Sequence, residues 1–325
     1  MLGAYMVMRY SPKEQMRLLF WIVAIAAALS IVFAIAMPSY GIAFTNNQVS
    51  WKGILAHKQY LGRMMTIGSV LFLLTAIDSK RYRPIALIGL SLTVALVLLS
   101  KSRTSLVILL IAFLMLPLYN IVRHHFKVRV FLIFTMLMLS VMGIMLIVGN
   151  LQFIVVDTLG KNLEFNGRLP VWKLIIDKAL ERPWLGYGYA GFWTSDEALY
   201  VLNNSWAGGE NLPGNRFHAH NGFIDLFIQL GVLGLVMFII HFLTVYIRVC
   251  KIFYATKTLE SFWMFQFITL IFLFNLSEAI TILSTGTLWT IYVSVSILSA
   301  VQYNKIFSKN SPVTKPTRAI NEQTI

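Results

Sequence analysis

Residues 18–37 read LLFWIVAIAAALSIVFAIAM, twenty positions without a charge, entered through Arg9, Lys13 and Arg17. A helix that crosses the hydrocarbon core of a bilayer needs about 20 mainly apolar residues, so this stretch is read as a membrane span. Ala34-Ile35-Ala36 resembles a signal-peptidase site, but the apolar run exceeds the roughly 7–15 residues of a signal peptide. It is taken as a retained anchor. Seven more runs of the same kind follow at about 61–77, 85–99, 105–122, 128–149, 222–247, 261–276 and 280–300. Composition agrees: of 325 residues 58% are hydrophobic and 12% charged, and the mean hydropathy is +0.72. Soluble domains run at about 45–50% apolar and about 25% charged. A water-soluble fold and a disordered chain are both excluded. Cys250 is the only cysteine, which removes an internal disulfide and any cysteine-built metal cage.

The net charge of +14 is distributed as topology. With the N-terminus inside, the inner segments hold Arg9, Lys13, Arg17, Lys80, Arg81, Arg83, Arg123, Lys127, Arg129, Arg248, Lys251, Lys257, Lys305, Lys309, Lys315 and Arg318. The only acids beside them are Glu14, Asp78, Glu260 and Glu322. Every inner loop is basic, as the positive-inside rule requires, and the excess also attracts anionic lipid heads. Nucleic acid is not needed to explain it. The expected fold class is an all-α polytopic transmembrane bundle of about eight spans with both termini cytoplasmic. It divides into a membrane region at 1–149, an extracytoplasmic loop at 150–221, a second membrane region at 222–300 and a tail at 301–325.

The outer loop is long, aromatic and punctuated by glycine, and long loops of that kind are usually functional. After Pro170, residues Trp172, Ile175, Ile176 and Ala179 recur at helical spacing, which predicts an amphipathic helix on the membrane surface or against the bundle, ended by Pro183. Gly186-Tyr-Gly188-Tyr-Ala-Gly191 matches the dinucleotide pattern by letter, but it follows a helix and opens no βαβ unit. His218 and His220 form an H-x-H pair with no evident third ligand, short of the three protein ligands of a catalytic zinc; no metal and no other cofactor is expected. Charges near the membrane carry more information, because placing them there is costly. Lys101 and Arg103, with His57, Lys58 and Arg63 ahead of the second span, Arg168 at the loop helix and Arg216 before His218, lie on the outer side against the positive-inside trend. They read as a socket for phosphate or as snorkelling turns. Asp225 and Glu278 are further ionisable candidates on that face.

Five motifs then occur in order: Trp51-x-Gly53-x-x-x-His57-Lys58, Ser102-Arg103-Thr104, Gly167-Arg168-x-x-x-Trp172, Arg182-Pro183-x-x-Gly186-x-Gly188, and His220-Asn221 with Gly231 and Gly234. Together with Phe274-Asn275-Leu276-Ser277-Glu278, this order resembles the O-antigen ligase and polymerase superfamily, nearest its exopolysaccharide-polymerase branch. The resemblance implies a GT-C-like glycosyltransferase of the bacterial inner membrane, metal-independent and without a nucleotide sugar. It would move glycan from undecaprenyl diphosphate to a sugar hydroxyl on the outer side. It also implies catalytic roles for His220, Arg103 and Arg168. Donor or acceptor contacts are expected from His57, Lys58, Arg63, Lys101, Arg216, Trp172 and Glu278. The implied partners are the lipid-linked oligosaccharide, a glycan acceptor and the bilayer, with a chain-length regulator and a flippase alongside. Relatives carry several more spans ahead of the first motif, so an N-terminally shortened chain is expected. Two other classes stay open on the residues: a lipid-linked-oligosaccharide transporter using Asp225 or Glu278 for proton coupling, and a non-catalytic subunit of an export complex.

Overall fold

The computed structural model describes residues 2–45, 48–124, 128, 168–205, 217–279 and 286–307. The expected span at 128–149 lies outside these from residue 129 on, as do the candidate Arg216 and residues 308–325 of the expected tail, whereas 301–307 are helical.

Among the described residues the chain is helical apart from turns and one hairpin. Helix α1 (Leu2–Arg9) precedes α2 (Pro12–Ala36), and a short turn of helix, α3 (Pro38–Gly41), leads into the antiparallel strands β1 (Ile42–Thr45) and β2 (Gln48–Trp51). Helices α4 (Lys58–Asp78), α5 (Arg83–Leu99), α6 (Arg103–Leu114) and α7 (Leu116–Ile121) complete the first half. The second half contains α8 (Arg168–Glu181), α9 (Asp196–Asn203), α10 (Gly222–Thr256), α11 (Leu259–Asn275) and α12 (Thr287–Phe307). Four helical stretches are long and apolar enough to cross a bilayer: Pro12–Ala36, Lys58–Asp78, Arg103–Ile121 and Gly222–Thr256. Arg83–Leu99 and Leu259–Asn275 are shorter apolar helices. The hairpin is a departure from the all-α expectation; alternating residues in a run of eight were hidden between two much stronger apolar signals.

Helix α2 starts where local chemistry dictates. Ser11 accepts the Glu14 backbone N–H, the Glu14 carboxylate accepts the Ser11 N–H at 2.7 Å, and Pro12 occupies the first turn. That reciprocal cap satisfies orphan donors at the helix start. Helix α4 is the centre of the bundle: 72% of its apolar window is buried, against 33–39% for the other three. Small residues let it sit there. A Cβ on Gly68 would stand 2.3 Å from Val23, and one on Gly62 would stand 2.5 Å from the Ser105 hydroxyl. Polar groups link the helices across this contact. Thr66 donates to Ser105 O at 3.2 Å, Ser69 to Thr93 at 3.0 Å, and Gln266 to Ala112 O at 2.9 Å. Inside a bilayer such bonds and close packing replace the hydrophobic drive between helices.

Helix α10 has 35 residues, about 52 Å of helix against a hydrocarbon core of about 30 Å. It is not continuous, because Gly231 sits at φ 64°, ψ −169°. The break frees backbone groups that must find partners, and residues 183–188 supply them. Tyr187 and Gly188 donate N–H bonds to Ile228 O and Gln229 O at 3.0 and 2.8 Å; Pro183 O and Trp184 O accept from Val232 and Leu233 at 2.7 and 3.3 Å. This is the work of the glycine pattern that mimicked a dinucleotide loop. Gly231, expected from the sequence to allow close helix approach, instead opens a helix for a loop.

The amphipathic helix is present as α8, with Val171, Ile175 and Ala179 buried. It packs on the bundle, in a small core with Phe192, Ala198, Val201, Ala219 and Ile228. Ile176, expected on the apolar stripe, is exposed. A Cβ on Gly231 would lie 2.3 Å from Trp184 C, and one on Gly186 2.6 Å from Gln229 C, both at positive φ, whereas Gly188 at φ 91° has open space around it. Gly231→Ala and Gly186→Ala should each cost about 2 kcal/mol or more, and Gly188→Ala about half of that. Thermal melts of the three variants in one detergent check this order.

Candidate functional site

The N-terminal ends of α4, α8 and α10 and the turn after α11 meet at one end of the bundle. Four groups there face one carboxylate. Glu278 Oε2 is 3.9 Å from Arg63 Nη1, 4.0 Å from His218 Nε2 and 3.9 Å from His220 Nδ1, and Glu278 Oε1 is 4.0 Å from Arg168 Nη2. The Glu278 side chain is 1% exposed and that of Arg63 8%. Burial pushes the Glu278 carboxyl above its ordinary value of 4.5, and the two guanidiniums pull against that shift.

Each member is placed by its own element. Arg63 is buried on the second turn of α4, its guanidinium over the Tyr60 ring at 4.7 Å. Arg168 opens α8 and donates to Ser277 O at 3.0 Å. Asn221 caps α10, accepting the N–H groups of Phe223 and Ile224 at 2.9 and 3.2 Å, and donates to Leu276 O at 3.3 Å. The turn that carries Glu278 is thereby tied to both α8 and α10. His220 itself is left-handed, φ 50°, a conformation that costs a non-glycine residue of order 1–3 kcal/mol and persists only where neighbours over-determine it. They do so here. Ala219 donates its N–H to Asp225 Oδ1 at 3.1 Å and accepts the Trp172 indole N–H at 2.7 Å. Asp225 is buried and also takes the Trp193 indole N–H at 2.8 Å and the Gln229 amide at 3.0 Å. Gln229 in turn accepts the Ala190 N–H at 2.7 Å.

The residues expected from the sequence separate into two groups. Arg63, Arg168, His220 and Glu278 converge, and Trp172 supports them from below. Arg103 is exposed at the first position of α6 and Lys101 is exposed in the preceding turn. They flank the cluster rather than join it, since α6 meets α4 at Gly62, next to Arg63. His57 caps α4, its Nδ1 accepting the Gln59 N–H at 3.3 Å, and Lys58 is the first helical residue. His218, Asp225 and Trp193 carry more of the site than the sequence reading assigned them; the visible signal was an acidic residue one turn into an otherwise apolar span.

His218, His220 and Glu278 also bring three ligand atoms within 4.8 Å of one another, so the third ligand absent from the sequence reading exists. The hydrogen bonding opposes its use for a metal. His218 Nδ1 accepts the His220 N–H at 3.1 Å, which puts the proton of a neutral imidazole on Nε2, the atom facing Glu278. Metal-bound histidines instead donate their second nitrogen to a partner.

Helices long and apolar enough to cross a membrane, with a buried mixed-charge cluster at one end of the bundle, mark a polytopic membrane protein. Residues 88–239, a little under half of the chain, match the family model described as O-antigen ligase. A Rickettsia prowazekii protein provisionally named a polysaccharide ligase is 35% identical over 75 residues, 22% of this chain and 17% of that protein. Its Rickettsia typhi counterpart is 33% identical over 75 residues, with the same shares. The exopolysaccharide production protein ExoQ of Rhizobium meliloti is 29% identical over 86 residues, 26% of this chain and 19% of ExoQ. The matched segments thus span under a fifth of each relative's length. Arg168, Trp172, His218, His220 and Asp225 fall within the family match; Arg63 and Glu278 come from outside it.

Burial first, and then the surrounding positive charge, lowers both imidazoles from 6.5, His218 to about 4 and His220 to about 3. The unfolded chain therefore binds more protons than the folded one below pH 6.5, and stability falls on acidification through that range. Glu278, raised when folded, acts in the opposite sense, one carboxyl against two imidazoles. Melting temperature in detergent should stay level from pH 8 to 7 and fall from pH 6.5 to 5, by at most about 1.4 kcal/mol per pH unit per imidazole. A His218→Asn/His220→Asn variant should lose the slope.

Proposed function

We propose that the chain is a glycosyltransferase of the outer face of the bacterial inner membrane, moving glycan from an undecaprenyl-diphosphate donor to a sugar hydroxyl in exopolysaccharide or O-antigen synthesis. The observation that carries this reading is the convergence of Arg63 and Arg168 with the neutral imidazole of His220 at a poorly solvated membrane mouth. In the reaction the acceptor oxygen bonds to the anomeric carbon, and the bond from that carbon to the diphosphate breaks with its electron pair. Charge therefore grows on the diphosphate. Guanidinium forks match phosphate oxygens, and preorganised donors in a dry site stabilise such charge strongly. The acceptor proton needs a base within hydrogen-bond reach, and His220, held neutral by burial, is available as one at pH 7.

In this reading Arg63 and Arg168 take the diphosphate from within, and Arg103, Lys101 and Lys58 meet it at the rim. The tight turns around Trp184, Tyr187 and Tyr189 provide aromatic surface for sugar or isoprenoid. The domain division at 1–149, 150–221 and 222–300 follows from the same orientation, with both termini cytoplasmic. Polymerase activity is favoured over ligation by the His57-Lys58 and Lys101-Ser102-Arg103 segments.

The experiment supplies purified protein in detergent with undecaprenyl-diphosphate oligosaccharide, without nucleotide or added metal, and reads glycan length on the lipid. Arg63→Ala and Arg168→Ala should each lower transfer by about 100-fold or more, while Arg17→Ala, at the opposite end of the bundle beside Tyr82, should keep it. Transfer that survives both site substitutions in folded protein overturns the assignment.

A further inference from the structure

Among the described residues Glu278 is the one carboxylate shared by both arginines and both histidines of the site, yet the transfer chemistry above gives it no task. Its position is set by backbone rather than by chance: the carbonyls of Leu276 and Ser277 are held by Asn221 and Arg168, and Glu278 N–H closes the last turn of α11 on Phe274 O at 2.8 Å. A substrate-facing acid would meet two problems here. The carboxylate is 1% exposed, and a diphosphate arriving at Arg63 and Arg168 would be repelled by it. A group that faces the histidines from behind has neither problem.

The proton positions in the pair of imidazoles indicate what Glu278 does. His218 carries its proton on Nε2, because its Nδ1 accepts the His220 N–H, so it presents a donor to Glu278 Oε2. His220 presents Nδ1 to the same oxygen at 3.9 Å. A carboxylate facing one nitrogen of a neutral imidazole favours the proton on that nitrogen and leaves the lone pair on the other. That is the arrangement by which a buried acid orients a histidine base in hydrolase triads.

We propose that Glu278 is the positioning residue of the site: it holds the His220 imidazole in the Nδ1–H form, leaving Nε2 to take the acceptor's proton, and it keeps Arg63 and Arg168 anchored beside it. This rests on the glycan-transfer reading above. As the acceptor oxygen bonds to the anomeric carbon and the diphosphate departs, the hydroxyl proton passes to His220 Nε2. The resulting imidazolium then faces the Glu278 carboxylate, which offsets the positive charge where it forms.

The test compares wild type with Glu278→Gln, which keeps the shape and removes the charge, and Glu278→Asp, which keeps the charge. Nitrogen-15 spectra of histidine-labelled protein in micelles report the tautomer, and transfer kinetics with the lipid-linked oligosaccharide report kcat and KM. The expected result is Nδ1–H at His220 in wild type and loss of that preference in Glu278→Gln. The same variant should lose about 100-fold in kcat, with KM for the lipid donor within about threefold, and Glu278→Asp should regain at least about a tenth of the wild-type kcat. A purely structural role would lower the melting temperature of Glu278→Gln while leaving tautomer and kcat alone, and that outcome overturns the proposal, as does Nε2–H at His220 in wild type. Wild-type protein that shows the Nδ1–H form but transfers no glycan overturns the transfer reading and leaves the placement of Glu278 standing.

Discussion

A carboxylate removed from water at the mouth of a helix bundle has to be matched by positive charge, since the desolvation of an ion costs several kcal/mol even after relaxation. Glu278 imposes that constraint on this protein. Its compensation comes from α4 through Arg63 and from α8 through Arg168, two elements more than a hundred residues apart. Helix α10 joins through Asn221, which grips the same turn. Three helices are thus registered on one acid, and the end of the bundle where they meet becomes the place where two guanidinium groups are gathered.

The second constraint is the interrupted helix. Breaking α10 at Gly231 exposes carbonyl and amide groups that a membrane cannot solvate, and residues 183–188 satisfy them. That dock brings Ala190 to Gln229 and Trp193 to Asp225. Asp225 then fixes Ala219, and with it the left-handed His220. The strained residue at the centre of the site is held by a chain of hydrogen bonds that starts at a glycine three turns away. Intramembrane acids commonly mark ion pathways; here Asp225 is saturated by three donors and behaves as a bracket, which weakens the proton-coupled transporter as an account of it.

Much of the architecture was legible in the residues. Apolar runs of bilayer length identified the helices, because hydrophobic length is a local property. The α8 helix was legible from its 3.6-residue spacing, though the buried stripe turned out to run through Val171 rather than Trp172, whose indole is used for a hydrogen bond to Ala219. The hairpin at 42–51 was not legible, since four-residue strands carry little periodicity. Among site residues, Arg168 and His220 were readable from motif order and Arg63 from its positive charge at the start of an apolar run. Arg103, given the same weight, is exposed on a rim: a motif records which residues accompany one another, not how deep each one sits.

The sequence by itself determined that this chain lives in a membrane and which residues beside its apolar runs carry unusual charge. These follow from hydrophobicity and charge counted along the chain, terms that need no knowledge of what packs against what. Only the tertiary structure decided that Glu278 gathers Arg63, Arg168, His218 and His220, and that the glycine-rich loop repairs a broken helix. Both depend on groups far apart in the chain sharing one low-dielectric volume, and no local pattern encodes that distance.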